Sequence, residues 1–476
     1  MKRWSGSVAL LGLVACGGTQ TVRQQPMAAS LCARFDNHAE AGWPVAQPHT
    51  VLIADGTVLT ASGTRLDRGY VLFANGRIKY VGPDRPTTPE DTVVIDATGK
   101  FVTPGLIDTH SHLGVYASPN SFANDDGNEA TSPLTPEVLA QDSIWPQDPG
   151  FERAVRGGVT SMQILPGSAN LVGGQGYVIK LHRGARVAEQ LHFPGAPATL
   201  KMACGENPRR VYGENGQMPQ TRMGAVALVR QAWLDAKEYR EHWDEYTDNL
   251  KSWCGGDRQS EPPKGPDRDL AKDTLAGVLR GTVLPQIHCY RADDMLNQIQ
   301  ISHEMGFQIR GFHHAVEAYK IRDVLAAEHI SVSTWPDWWG FKMEAFDTTT
   351  RAIGLLTEAG VKAVVKSDSP ITTQHLNVDA GKALAYARDA GIAVSDNDAL
   401  RWITANPAWT VGVDGQTGTL ETGKMADVVI WSAQPFSTYA RAEVVFIDGI
   451  EEIGPRAVPG PWSDFEAGLL PPSEVK

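Results

Sequence analysis

Between residues 104 and about 405, apolar runs of strand length alternate with helical stretches, and no other feature narrows the fold so far. The runs are "GVTSMQILPG", "GYVIKL", "ATLKMACG", "VLPQIHCY", "FQIRGFHHA", "HISVSTWP" and "VKAVVKSDSP"; with "TPGLIDTHSHL" as the first, they number eight. Such alternation predicts a parallel sheet, most simply a closed (β/α)8 barrel. Outside that span the pattern changes. "VLIADGTVLT", "GYVLFANGRIKYVG" and "TVVIDATGKFV" are short β-like runs whose "ADG", "ANG" and "ATG" steps read as turns between antiparallel strands. "GTLETGKMADVVIWSA" and "AEVVFIDGIE" repeat that pattern near the end. A small β domain assembled from both chain ends is therefore expected to bracket the barrel.

With 476 residues, 42% of them hydrophobic and 21% charged, the chain is long enough for this arrangement. A net charge of −12 without a basic tract argues against a nucleic-acid partner. No apolar run approaches the length of a membrane-spanning helix. One helix is predicted clearly: Val226, Val229, Trp233, Ala236, Tyr239, Trp243 and Tyr246 form an apolar stripe at 3–4 spacing, suited to packing on a barrel. The stretch 255–270 reads as a polar loop before the fifth strand.

Strand ends carry the chemistry. Residues i and i+2 of a strand share a face, so His110 and His112 project together at the C-terminal end of the first barrel strand, where barrel active sites form. A divalent metal satisfies two such imidazoles better than burial alone. H-x-H by itself is weak, but other strands end alike: His288 in "LPQIHCY", His313 and His314 in "IRGFHHA", Asp368 in "VVKSDSP" and Lys201 in "TLKMAC". Tyr290 and Arg291 follow His288 and are placed for substrate. Glu206, Arg209, Arg210, Tyr212 and Arg222 are further candidates, the arginines for a carboxylate. "WPDWWG", 335–340, reads either as an aromatic wall over the site or as packing. Gly418 to Lys424 mimics a phosphate loop but Met425 stands where Ser or Thr is needed, and no G-x-S-x-G occurs.

This constellation resembles the amidohydrolase superfamily, metal-dependent hydrolases on a distorted (β/α)8 barrel with a β-sandwich made from both chain ends. "TPGLIDTHSHLG" and "ALRWITANPAWTVGVDGQTGTLETGKMADVVIWSAQPFS" are similar to the entry and exit signatures of its imidazolonepropionase-like branch. "KMACGENPRRVYG" and "HHAVEAYKI" look like a secreted subgroup of that branch. The resemblance, running from about 49 to 455, implies a sandwich half at 49–103, a barrel at 104–405, and the second half with a tail at 406–476. It implies His110, His112, His288, His314 and Asp368 as metal ligands, with His313 turned away or supporting them. Lys201 matches the position of a carboxylated lysine that bridges two ions, with Glu206 as the rival anion. Zinc is the default cofactor, as one ion or two. The implied activity is hydrolysis of an amide, cyclic amide or peptide-like C–N bond of a small molecule by metal-activated hydroxide, with Asp368 carrying the proton. A dipeptidase acting near proline is the alternative on the same fold. From another class, a non-catalytic metal- or solute-binding lipoprotein stays open.

The first residues read differently. Met1, Lys2 and Arg3 precede a short apolar core and "LVAC", which resembles a lipoprotein signal over 1–16 with acylation at Cys16. Residues 17–48 then form a tether, and the enzyme is expected in the cell envelope, at the outer membrane or periplasm. Cys32, Cys204, Cys254 and Cys289 allow three full pairings, and the sequence chooses none. Substrate and oligomeric state are equally open.

Overall fold

The computed structural model describes residues 49–118, 120–256 and 260–457. The expected signal segment 1–16 with Cys16, the expected tether 17–48, Cys32 and the residues from 458 lie outside the described residues. The chain divides into two compact units. One holds residues 42–242 and 267–476 and contains both sheets; the other holds 1–41 and 243–266, of which the end of a long helix and the loop after it are described. No helix among the described residues is long and apolar enough to cross a membrane.

The first sheet comes from both chain ends. β1 (Val51–Leu59), β2 (Arg65–Ala74), β3 (Arg77–Gly82), β4 (Val93–Asp96) and β5 (Phe101–Pro104) join β14 (Val428–Trp431), β15 (Ala442–Ile447) and β16 (Ile450–Ile453). Their apolar faces enclose a core that includes Ile53, Val71, Phe73, Val102, Ile430 and Phe446. Asn75 and Gly76, both at positive φ, make the expected "ANG" hairpin turn. The "ADG" step is not a turn. β1 runs straight through it, with register shifts on both sides of Gly56, because one half of the strand pairs with β4 and the other with β5. A Cβ at Gly56 would sit 2.9 Å from Val102 Cγ2, so the bend demands glycine there.

The second sheet is the barrel: β6 (Leu106–Ser111), β7 (Val159–Ile164), β8 (Val172–Lys180), β9 (Ala198–Ala203), β10 (Val283–Cys289), β11 (Gly311–His314), β12 (Ser331–Thr334) and β13 (Ala363–Val365), in chain order. All eight predicted strands form. One runs against expectation: β8 is antiparallel to both β7 and β9. Only residues 165–171 connect β7 to β8, too few for the crossover helix that a parallel strand requires. This is the distortion of the barrel. No ladder joins β13 to β6; instead Val365 N donates to Trp402 O and Ile107 N to Ile403 O, so a C-terminal segment fills the seam.

The predicted apolar stripe lies on the helix Arg222–Gly255. Val229, Trp233 and Ala236 are buried in the barrel's outer core, and Trp233 packs on Phe307 with ring centroids 4.4 Å apart. Full burial of such a side chain stabilises by about 2–3 kcal/mol. Cys204 and Cys289 form a disulfide between the ends of β9 and β10, and Cys254 is also disulfide-bonded.

Candidate metal centre

Alternation along β6 buries Asp108 and His110 on one face, with His112 just beyond the strand end. Asp108 accepts from His110 N at 3.0 Å, from Ser367 N at 3.3 Å, from Thr373 Oγ1 at 3.2 Å and from the Ser367 hydroxyl. It thus ties the first strand to the loop after the last. Asp368 N donates to His110 O at 3.0 Å, completing that closure. His314 and Asp368 both adopt left-handed backbone, φ 68° and 54°, a conformation that costs a non-glycine residue of order 1 kcal/mol and clusters at functional sites.

The side chains converge. Asp368 Oδ1 lies 3.2 Å from His112 Nε2 and 3.5 Å from His110 Nε2. One ligand atom each from His110, His314 and Asp368 falls within 4.8 Å of the others. The His288 and His314 rings are 4.1 Å apart. Lys201 Nζ donates to Pro166 O at 2.9 Å and stands 3.4 Å from His110 Nε2. His313 does not join the cluster; its Nδ1 meets His110 Nδ1 at 2.8 Å from behind.

Electrostatics suit a divalent cation. Burial first, then the neighbouring lysines, holds His110, His288, His313 and His314 well below the usual imidazole range, so these rings are neutral. Burial alone would raise the Asp368 carboxyl, but Lys366 and His112 outweigh it and hold the group ionised. Burial lowers Lys201 to about 7 and Lys366 to about 8. His112 Nδ1 is fixed on Leu165 O at 2.7 Å, which leaves Nε2 facing the cluster. Among the described residues, His288 Nδ1 and His314 Nε2 are buried without a hydrogen-bond partner. Buried polar nitrogens are seldom left so, and neutral imidazoles around one carboxylate are the donor set of a divalent ion. The residues fit the metal that the sequence implied.

The substrate candidates separate. The Tyr290 ring stacks on His314, centroids 5.1 Å apart, and Trp335 lies 4.7 Å from the same ring, with Trp338 stacked behind it at 4.6 Å. "WPDWWG" thus forms an aromatic wall against the centre. Glu206 pairs with Lys342 at 3.1 Å. Arg291 and Arg209 are not brought to the cluster. Arg291 is held by Asp293 at 2.7 Å where its helix begins, and Arg209 Nε donates to Gln220 O at 3.2 Å on the surface. Arg222, expected to meet a carboxylate, meets two of the protein's own, Asp294 and Glu344.

Three residues of the site were missed in the sequence. Lys366 Nζ is fully buried, 3.0 Å from Asp368 Oδ2, 2.9 Å from His314 Nδ1 and 3.6 Å from the Trp335 ring centre. Its signal was available: a lysine stands directly after the apolar run, at the same strand end as Asp368. Lys342 lies 3.8 Å over the Tyr290 ring and donates to Asn207 Oδ1 at 3.0 Å, while Asn207 Nδ2 approaches His288 Nε2 at 3.4 Å. Lys342 comes from a loop and Asn207 from the first turn of the short helix Glu206–Gly213, and no periodicity marks either.

A model of the amidohydrolase family matches residues 304–451. Amidohydrolase tasK of Hapsidospora irregularis is 34% identical over 396 residues, 80% of this chain; the chain spans 39% of that protein's length. The imidazolonepropionase of Rhizobium meliloti (strain 1021) is 24% identical over 428 residues, 83% of this chain and 91% of that protein. The crystal structure of an amidohydrolase from Thermotoga maritima MSB8 superposes with a TM-score of 0.75 at 38% identity, over 84% of this chain and 99% of its own. With that coverage, barrel and neutral histidine cluster, the chain belongs to the amidohydrolase family, imidazolonepropionase-like hydrolases that act on carbon–nitrogen bonds.

Proposed function

We propose that the protein is a metal-dependent hydrolase of an amide, cyclic amide or peptide-like C–N bond in a small molecule. The observation that carries this is the convergence of neutral histidines on Asp368, with His288 Nδ1 and His314 Nε2 buried and unpartnered among the described residues. His110, His112, His288, His314 and Asp368 would hold the divalent ion, zinc being first choice for imidazole and carboxylate donors. Lys201 stands where a second ion would be shared. A bound ion lowers the pKa of a coordinated water and polarises a carbonyl.

The chain's own residues supply the rest. Asp368, ionised beside Lys366, takes a proton from the attacking water and passes it to the departing nitrogen. Tyr290 and Trp335 wall the centre from solvent. Lys342, held between Glu206, Asn207 and the Tyr290 face, presents a cation to a carboxylate-bearing substrate. The sequence adds export and lipid anchoring at Cys16 to this reading; loss of palmitate labelling in Cys16→Ala cells tests that part.

The direct test is metal per chain, by plasma mass spectrometry, on protein lacking residues 1–16 and on its Lys201→Ala variant, with turnover of an amide, lactam and dipeptide panel. One or two ions together with hydrolysis supports the proposal. No ion in protein purified without chelator overturns it, and an ion without any hydrolysis favours the binding-protein alternative.

A further inference from the structure

Behind the centre runs a buried chain of hydrogen bonds that leads to the C-terminal part of the barrel. Gln286 Nε2 donates to Thr410 O at 2.9 Å. His313 Nε2 lies 2.8 Å from Gln286 Oε1, and His313 Nδ1 lies 2.8 Å from His110 Nδ1. Gln286 and His313 are fully buried, His110 nearly so, and Thr410 ends the helix Ala405–Thr410, where carbonyls have no helical partner.

Each link permits one arrangement. A carbonyl only accepts, so Thr410 O fixes the NH2 end of Gln286 toward itself and the amide oxygen toward His313. That oxygen also only accepts, so the His313 proton sits on Nε2. A neutral His313 then offers a bare Nδ1, and His110 must place its own proton on Nδ1 to bond it. The end result is a lone pair on His110 Nε2, the atom that faces Asp368 and Lys201.

We propose that Gln286 and His313 are positioning residues that lock His110 in the Nδ1–H tautomer and so ready its Nε2 to bind a metal. This rests on the metal reading above only for its consequence; the tautomer itself exists with or without an ion. Partners of this kind govern ligand orientation and basicity, and their loss typically weakens metal binding about 10- to 100-fold.

The test has two parts, both on the full chain. In metal-free protein with ¹⁵N-labelled histidine, long-range ¹H–¹⁵N correlation reads each tautomer, with His110→Gln and His313→Gln proteins assigning the signals. We expect His110 protonated at Nδ1 and His313 at Nε2; His110 protonated at Nε2 overturns the proposal. In parallel, zinc affinity is measured by competition with a chelating dye in wild type and Gln286→Met, a substitution of similar shape that cannot donate to Thr410 O and accepts only weakly. A loss of about 10- to 100-fold, with a mixed His110 tautomer, is expected. An unchanged affinity overturns the proposal. If wild type takes no zinc, the metal reading fails, and the wild-type tautomers still decide the relay.

Discussion

Lys366 Nζ lies 3.0 Å from Asp368 Oδ2, while the other carboxylate oxygen faces His112 Nε2 at 3.2 Å. One oxygen is thus held by a buried lysine and the other is directed at the histidines, which fixes both the charge and the aim of the group.

Replacing Lys366 with methionine keeps the volume but removes the cation. The Asp368 carboxyl then shifts upward, since Lys366 is what most strongly counters the effect of burial. We expect kcat/KM to fall about 10- to 100-fold and its acid limb to move to higher pH. A pH–rate profile with an unmoved acid limb would refute the assignment.

Asp368→Asn preserves size and removes the proton acceptor. Turnover should drop by about two to four orders of magnitude, as when a general base is lost. Far-ultraviolet circular dichroism should match wild type. A variant that turns over at the wild-type rate ends the proton-transfer role of Asp368.

Away from the centre, His182 sits between Asp448 and Glu452, at 3.1 and 2.8 Å, beside the buried Lys180 and Asp427. Burial would lower its pKa, but the two carboxylates prevail and push it from 6.5 up to about 9. A group raised on folding contributes its stability in full below its unfolded value, and loses it as pH rises through the folded one. The unfolding temperature should therefore fall between pH 6.5 and 9.5, reflecting at most about 3 kcal/mol. His182→Gln should flatten that slope; thermal scans at both pH values decide.

The Cys204–Cys289 disulfide closes a loop of 85 residues. Converting both cysteines to alanine should cost about 4.5 kcal/mol on chain-entropy grounds, read by denaturant unfolding. Because the pair joins the strands that carry Lys201 and His288, a weaker metal hold should accompany it.

Much of this was legible in the sequence, for definable reasons. His110, His112, His288 and Asp368 stand where apolar runs stop, and strand periodicity tells which face they share. The direction of β8 was not legible, because alternation marks a strand without marking its sense; only the shortness of 165–171 carried that. Gln286 reads as one polar residue in an apolar strand, and its partner Thr410 lies far along the chain. Arg291 and Arg209 looked like substrate contacts because local sequence cannot show that Asp293 or a nearby carbonyl already takes them. The cysteine pairing likewise required the strand order.

β5 pairs with β14 in a register that opposes Thr103 to Val429 and Val102 to Ile430. During synthesis the first strands therefore emerge long before their partner exists, and β5 offers a bare edge while the entire barrel is being made. An unsheltered edge of this kind is an invitation to intermolecular pairing. The chain has high contact order by construction, so folding of the terminal sheet waits on completion of translation. Heterologous production should accordingly benefit more from slow synthesis and from holding chaperones than from any single stabilising substitution.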